Sequence, residues 1–190
     1  MDYEAVISHR LTKEEVLIVR DELISEKESF SDFFQLIFQK PVKTAWQVAW
    51  ICEKVSEADV TMFTDEDYHQ LMDFTLTNNE DGLQRLCLSI ILNLPLRKPV
   101  SVEFINLCFD QMISPRKPVG VQVLSMKILR KICIAVPDLG DELLVILENT
   151  DDLTYSPGFI SARKHVIKSL KTNSKGGFGV NGRLKDYAEW

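Results

Sequence analysis

A recurring interval of about 38 residues is the feature that most restricts the fold of this chain. The tripeptide Lys-Pro-Val occurs three times, at 40–42, 98–100 and 117–119. Pro41 and Pro118 are two such intervals apart, and Pro157 follows one interval later. Because proline suits the first turn of a helix, each one indicates a helix start. Apolar residues that close helices recur at steps of 39, 38 and 38: Val55, Leu94, Ile132 and Leu170. The interval predicts an array of stacked helical hairpins.

The apolar spacing is helical almost throughout, and no segment alternates at period two, which predicts an all-α fold. Short connections place consecutive helices antiparallel. The first helices of the pairs, the A helices, are predicted at 28–39, 64–77, 101–114 and 138–150. The second, the B helices, are predicted at 42–57, 80–94, 118–136 and 157–171. A further helix at 11–25, opened by the capping box of Thr12 and Glu15, would cover the N-terminal end. A plain helical bundle with accidental spacing is the alternative.

The B helices resemble HEAT repeats. In 81–94, Asp81 stands at the turn and Arg85 early in the helix, followed by regular small and apolar positions. The segment 160–170 is similar, with Ala162 before Arg163 and a closing apolar residue. The resemblance covers about 28–171, and the tetratricopeptide pattern is absent. It implies a right-handed α–α superhelix of about four hairpins plus an N-terminal capping helix, forming one domain over 1–171. It also implies a scaffold that binds proteins or peptides along a concave side lined by B helices.

Aligning the B helices on their closing residues predicts which side chains share that concave side. Arg85, Ser89 and Asn93 form a polar stripe at i, i+4 and i+8. The equivalent residues one repeat earlier are Trp46, Trp50 and Lys54. One repeat later they are Val123, Lys127 and Lys131, and two repeats later they are Ser161, His165 and Ser169. The candidate partner-binding residues are Trp46, Trp50, Arg85, Lys127, Lys131 and His165, because Trp and Arg dominate binding hot spots. Packing of both indoles between repeats, and an ordinary solvated face for the two lysines, are the alternatives.

The charge pattern predicts the kind of partner. The net charge is −6, and many acids fall on the capping and A helices: Glu14, Glu15, Asp65, Glu66, Asp67, Asp73, Glu103 and Asp110. An acidic outside and a locally basic, aromatic inside favour an acidic or amphipathic peptide. A HEAT-like branch that excises alkylated bases from DNA gives a second hypothesis. The helix connections mix basic with acidic residues and form no continuous basic stripe, so we rank nucleic acid below protein. With two open ends, the chain is expected to be a monomer or a weak end-to-end dimer.

The sequence contains none of the common short motifs for catalysis or cofactor binding. No phosphate-binding glycine loop, nucleophile elbow or His-Glu-x-x-His motif occurs, so we expect no enzyme activity and no cofactor. Four cysteines lie in apolar helical patterns without a CxxC pair, and the histidines keep no ligand spacing with them: Cys52, Cys87, Cys108 and Cys133. We expect reduced, buried thiols, no metal site and a cytoplasmic protein. No apolar run is long enough to cross a membrane, and the N-terminus does not resemble a secretion signal.

The composition changes after Leu170. Residues 172–190 contain four glycines and no apolar stripe, which predicts a flexible C-terminal tail. Phe178, Tyr187 and Trp190 are unusual in a solvating segment. The alternative is a tail that folds back over the last repeat, whose apolar side would otherwise be uncovered.

Overall fold

The computed structural model of the protein describes residues 3–175. Within this range the chain forms ten α-helices and no strand. The helices are α1 (Tyr3–Ile7), α2 (Lys13–Ser25), α3 (Phe30–Gln39), α4 (Val42–Ala58), α5 (Asp65–Thr77), α6 (Asp81–Asn93), α7 (Val102–Ile113), α8 (Val119–Ala135), α9 (Asp138–Glu148) and α10 (Pro157–Lys175). Single 3₁₀ turns lie at Lys27–Ser29 and Val60–Met62. The prediction of an all-α chain is confirmed.

The helices pair and stack as the repeat interval predicts. Each A helix packs against the B helix that follows it, giving the hairpins α3–α4, α5–α6, α7–α8 and α9–α10. We call α3, α5, α7 and α9 the A row. The B row is α2, α4, α6, α8 and α10, in which each helix packs against the next. The capping helix, predicted at 11–25, is therefore α2, the first member of the B row. Helix α1, which was not predicted, also contacts α4.

Side-chain caps explain where several helices begin. The hydroxyl of Thr12 accepts a hydrogen bond from the Glu15 amide at 3.3 Å, and the Glu15 carboxylate accepts one from the Thr12 amide at 2.7 Å. This is the predicted capping box, and Thr64 and Asp67 form a second one at the start of α5. Each box satisfies backbone N–H groups that the first turn of a helix leaves without partners.

The three Lys-Pro-Val segments open helices in two different ways. Pro41 and Pro118 immediately precede α4 and α8, so in these two cases the proline stands one residue before the helix. Pro99 lies three residues before α7, which begins at Val102, one residue from the predicted start at 101. The Ser101 hydroxyl accepts a hydrogen bond from the Phe104 amide at 3.1 Å and provides the cap there. A serine cap outranks the proline as the start of this helix.

One continuous core lies between the two rows. Its N-terminal part is aromatic: the ring of Phe63 packs edge-on against Phe30 and Phe34, with centroids 4.9 and 5.8 Å apart. All four cysteines are free and buried, as predicted. Burial raises the pKa of Cys87 to about 12 and that of Cys133 to about 11, so these thiols stay protonated and unreactive at neutral pH.

The last helix extends past the predicted domain boundary. Helix α10 continues through Lys175, four residues past the predicted boundary at 171. The predicted flexible tail covers 172–190, and most of it, 176–190, lies outside the described residues, so the alternative that it folds back over the last repeat stays a prediction. None of the helices described combines the length and the apolar character needed to cross a lipid bilayer.

Candidate functional site

The candidate site is one face of the B row, which we call the B face. It consists of three equivalent positions on each of four helices: Trp46, Trp50 and Lys54 on α4; Arg85, Ser89 and Asn93 on α6; Val123, Lys127 and Lys131 on α8; Ser161, His165 and Ser169 on α10. At each of these positions the residue is half-buried or exposed, never buried. The stripe predicted from the sequence therefore lies at the surface, where a partner could reach it.

The two tryptophans form a pair that is both packed and accessible. Their ring centroids lie 5.4 Å apart, with the planes at 47°. Both indoles are half-buried and pack against the core. A Cβ atom added to Gly82, at the start of α6, would lie 3.3 Å from Nε1 of Trp46. Trp46 thus fills the junction between α4 and α6, and part of each indole still faces solvent. Packing and surface exposure, which the sequence left as alternatives, coexist here.

Arg85 occupies the equivalent junction one repeat later. A Cβ atom added to Gly120 would lie 3.0 Å from Cδ of Arg85, so the aliphatic stem of Arg85 lies across the start of α8. The stem packs against α8 and leaves the guanidinium at the surface of the B row. Lys127 is half-buried on α8, and His165 is exposed on α10.

Lys131 has a structural role that was not expected. Its ammonium group donates to the carbonyl oxygens of Leu92, at 2.8 Å, and of Leu94, with Ile91 at 3.4 Å. These are carbonyls at the end of α6, which an α-helix leaves without internal partners. A cation there also complements the helix dipole. Desolvation on burial lowers the pKa of Lys131 to about 8. Lys131 is thus committed to capping α6 and is poorly placed to contact a partner.

Other residues of the same edge also connect neighbouring repeats. The Asn93 amide donates to the Ser56 hydroxyl of α4 at 3.0 Å. Arg130 on α8 donates from Nε to the Ser169 hydroxyl of α10 at 2.7 Å. The C-terminal edge of the B face is therefore used for packing between repeats. The accessible part of the B face consists of Trp46, Trp50, Arg85, Lys127 and His165.

The A row is acidic throughout, whereas positive charge in the B row is concentrated in its last two helices. Helices α3, α5, α7 and α9 carry one, four, two and four carboxylates, eleven in all, and no lysine or arginine. Helices α4, α6, α8 and α10 carry two, one, three and five lysines or arginines, eleven in all, against three carboxylates. Helices α4 and α6 are each neutral, and α8 and α10 carry net charges of +3 and +5. Helix α2, the first of the B row, is acidic, with four carboxylates against two cations.

Comparison with known proteins identifies the family. A model of the HEAT repeat domain matches residues 3–170. The chain belongs to the HEAT repeat family. No significant match was found among curated proteins or among solved structures. The match begins earlier than the resemblance seen in the sequence, which started at about 28, and it includes α1 and α2. The N-terminal cap is thus part of the HEAT repeat domain.

Glycines at the helix–helix junctions are positions that sequence reasoning missed. Gly82, Gly120 and Gly158 are each the second residue of a B helix, and they recur at steps of 38. A side chain of the preceding B helix lies over each of them; at Gly158 it is Val119. The missing Cβ allows this approach. Their equal spacing was a signal that could have revealed the HEAT junctions.

Buried glutamines that join neighbouring helices were also missed. The Gln84 amide donates to the Thr75 carbonyl at 3.2 Å, and the Gln122 amide to the Ser114 carbonyl at 2.7 Å. Gln47 plays a similar part near the N-terminus, where its amide donates to the Ile7 carbonyl at 2.9 Å. The three glutamines recur at nearly the same interval as the helix ends, a signal visible in the sequence. Their amides satisfy carbonyls that would otherwise be buried without partners.

Metal-binding groups do not converge in the described part of the chain. Between residues 3 and 175, no group of three or more His, Cys, Asp and Glu side chains is arranged so that it could hold a metal ion. The chemistry that the B face offers consists of indoles, a guanidinium, ammonium groups and an imidazole.

Proposed function

We propose that this HEAT repeat protein is a non-enzymatic scaffold that binds an acidic or amphipathic polypeptide through the B face. The observation that carries the proposal is the difference in charge between the A row and the four helices of the B face. The A row has eleven carboxylates and no cation, whereas α4, α6, α8 and α10 have eleven cations against three carboxylates. Such a field directs an acidic partner to one side of the molecule and repels it from the other.

The accessible part of the B face supplies both kinds of contact that peptide binding needs. Trp46 and Trp50 offer apolar surface on side chains that are already held in place by packing, so little conformational entropy is lost on binding. The stem of Arg85 packs across the start of α8, and its guanidinium lies at the surface. Lys127 has no ion pair with another described residue, so its charge is available to a carboxylate of the partner. Aromatic and arginine anchors of this kind dominate measured binding energies.

Charge reversal on the B face tests the proposal. The probe is a fluorescent peptide that combines glutamates with leucine and phenylalanine, and a peptide with lysines in place of the glutamates is the reference. The double variant Arg85→Glu/Lys127→Glu should bind the acidic peptide at least about tenfold more weakly. The control Lys13→Glu/Lys98→Glu makes the same change in net charge at exposed residues away from the B face and should bind as the wild type does. Equal losses in both double variants, with melting temperatures unchanged, contradict a specific site.

A separate variant decides what the indoles do. Trp50→Ala should weaken binding of the acidic peptide about tenfold, as expected for an aromatic anchor. A large fall in melting temperature with unchanged affinity assigns Trp50 to packing alone and removes it from the proposed site. The two readouts are measured on the same preparation, by thermal unfolding and by fluorescence anisotropy.

The second candidate function is DNA binding of the HEAT-like glycosylase type. The observation in its favour is that Trp46, Trp50 and Arg85 share one face, since indoles and guanidinium planes can stack on bases. The carboxylates of the A row and the net charge of −6 oppose it. Strong, salt-sensitive binding of a short DNA duplex, together with failure to bind the acidic peptide, reverses the ranking.

A further inference from the structure

The open side of α10 corresponds to a surface that earlier B helices bury. Gly82 and Gly120 are equivalent positions 38 residues apart. The same step of 38 residues makes Leu88 on α6, Met126 on α8 and Lys164 on α10 equivalent. Leu88 and Met126 are fully buried, whereas Lys164 is exposed. Each of the first two helices has a following B helix, and α10 has none within the described chain. The difference therefore locates the side of α10 on which the next helix would stack.

This open side is basic, with a small apolar centre. A shallow cavity of about 470 Å³ lies there, lined by Lys164, Ile167, Lys168, Lys171 and Thr172. Lys171 pairs with Glu148 at 2.6 Å, but Lys164 and Lys168 form no ion pair with a described residue. The described part of α10 contains no carboxylate. We call this surface the basic end. It combines an isoleucine with surrounding ammonium groups.

The helix at the other end of the B row has the opposite charge around an exposed isoleucine. Ile18 on α2 is 59% exposed and lies opposite the buried stripe of that helix. Glu14 lies one turn before it and Asp21 one turn after it, and both are exposed. Asp21 also bonds Arg20 at 2.7 Å, and Glu14 forms no ion pair with a described residue. We call this surface the acidic end.

We propose that the protein associates head to tail, with the acidic end of a second copy docking on the basic end. A second copy fits the basic end because the charges are complementary. Carboxylates border the isoleucine of the acidic end, and ammonium groups border the isoleucine of the basic end. In such a contact α2 of the second copy continues the B row beyond α10. The two surfaces differ, so the contact is heterologous and extends into open chains instead of closing into a symmetric dimer. A small interface with exposed charges makes the association weak and sensitive to salt.

Complementary charge swaps test the contact on the full chain. The variant Lys164→Glu/Lys168→Glu reverses the basic end, and Glu14→Lys/Asp21→Lys reverses the acidic end. By sedimentation velocity at about 0.05 M salt, the wild type should show association that increases with concentration and largely disappears at about 0.5 M salt. Each variant alone should associate at least about tenfold more weakly, because its two ends then repel each other. An equimolar mixture of the two variants should regain the association, since their reversed ends are complementary.

Three results overturn the proposal. The first is a wild type that stays monomeric at low salt at the highest attainable concentration. The second is association that survives in either variant alone, since the contact then uses another surface. The third is a mixture that fails to associate although both variants are folded by circular dichroism. The B-face variant Arg85→Glu/Lys127→Glu leaves both ends intact, so this test and that of peptide binding fail or succeed separately.

Discussion

The α4–α6 and α6–α8 junctions occupy the same place in successive repeats but are filled by different side chains. In the first, the indole of Trp46 covers Gly82, with 3.3 Å between Nε1 and a Cβ placed on the glycine. In the second, the stem of Arg85 covers Gly120, with 3.0 Å between Cδ and such a Cβ. Trp46 is also held by Trp50, whereas no ring contact holds Arg85 among the described residues. One junction is rigid and apolar, and the other is flexible and charged.

The C-terminal edges of the same junctions differ as well. Between α4 and α6 one neutral hydrogen bond joins Asn93 to Ser56. Between α6 and α8 the ammonium of Lys131 donates to carbonyls at the end of α6. The repeat therefore fixes where a side chain must cross from one B helix to the next but leaves its chemistry free. An apolar side chain that reaches the next B helix, such as Trp46, contributes mainly to stability. A charged one, such as Arg85, also places a cation on the surface proposed for binding.

The largest expected effect comes from breaking the rigid junction. Trp46→Ala removes an aromatic pair and leaves a gap above Gly82, so we expect a loss of about 3 kcal/mol in the free energy of unfolding. The matched variant Arg85→Ala removes only a stem packed at the surface and should cost less than about 1 kcal/mol. Denaturant unfolding followed by circular dichroism measures both. Equal losses in the two variants contradict the distinction between the junctions.

The sequence predicts the architecture better than it predicts these contacts. The interval marked by Pro41, Pro118 and the apolar helix ends located every hairpin, because each repeat must bury the same stripe against its neighbours. Helix α1 was missed because its single short turn cannot show a period. The start of α7 was predicted to within one residue, at 101, although the Ser101 hydroxyl and not Pro99 provides the cap. Boundaries depend on single caps, whereas the repeat depends on many residues together.

Within the candidate site, the accessible stripe was predicted but the use of each side chain was not. A one-dimensional alignment shows that Lys127 and Lys131 share a face. It does not show that Lys131 meets the end of α6, because that depends on where the neighbouring helix stops. The combination of packing and exposure at Trp46 likewise depends on Gly82, which belongs to the next repeat. These roles come from contacts between repeats, which hydrophobic periodicity within one helix does not encode.

The next expected effect concerns the polar edges of the junctions. Lys131→Met leaves the carbonyls at the end of α6 without their donor, and we expect it to lower the free energy of unfolding by about 2 kcal/mol at neutral pH. The matched variant Asn93→Ala removes one neutral hydrogen bond and should cost about 1 kcal/mol. Both are measured by denaturant unfolding. A Lys131→Met variant as stable as the wild type contradicts the capping role.

The pH dependence of stability in the wild type and in Lys131→Met distinguishes the effect of burying Lys131 from the effect of its contacts with carbonyls. Burial lowers the pKa of Lys131 to about 8 in the folded state, from an ordinary value of 10.5. Between these values the unfolded chain binds more protons at this site, so the wild type should gain stability as pH rises from 8 to 10.5. Below pH 8 the site is charged in both states and the gain is absent. Relative to Lys131→Met, we expect a gain of about 2 to 3 kcal/mol across this window. A change of opposite sign shows that the carbonyl contacts outweigh burial.

The smallest expected effects are those of replacing two glycines with alanine, which should change the free energy of unfolding in opposite directions. Gly82→Ala places a methyl group against an indole that Trp50 prevents from moving, so we expect a loss of about 1 kcal/mol. Gly120→Ala meets a flexible arginine stem that can move aside, and alanine is the better helix former, so we expect a gain of about 0.5 kcal/mol. Thermal and denaturant unfolding of both variants, each also made in the background of Trp46→Ala, measure these changes. In that background the penalty of Gly82→Ala should disappear, because the obstructing indole is gone, while the gain of Gly120→Ala should persist. A penalty that remains without Trp46 assigns the cost to the backbone of α6 and not to the rigid junction.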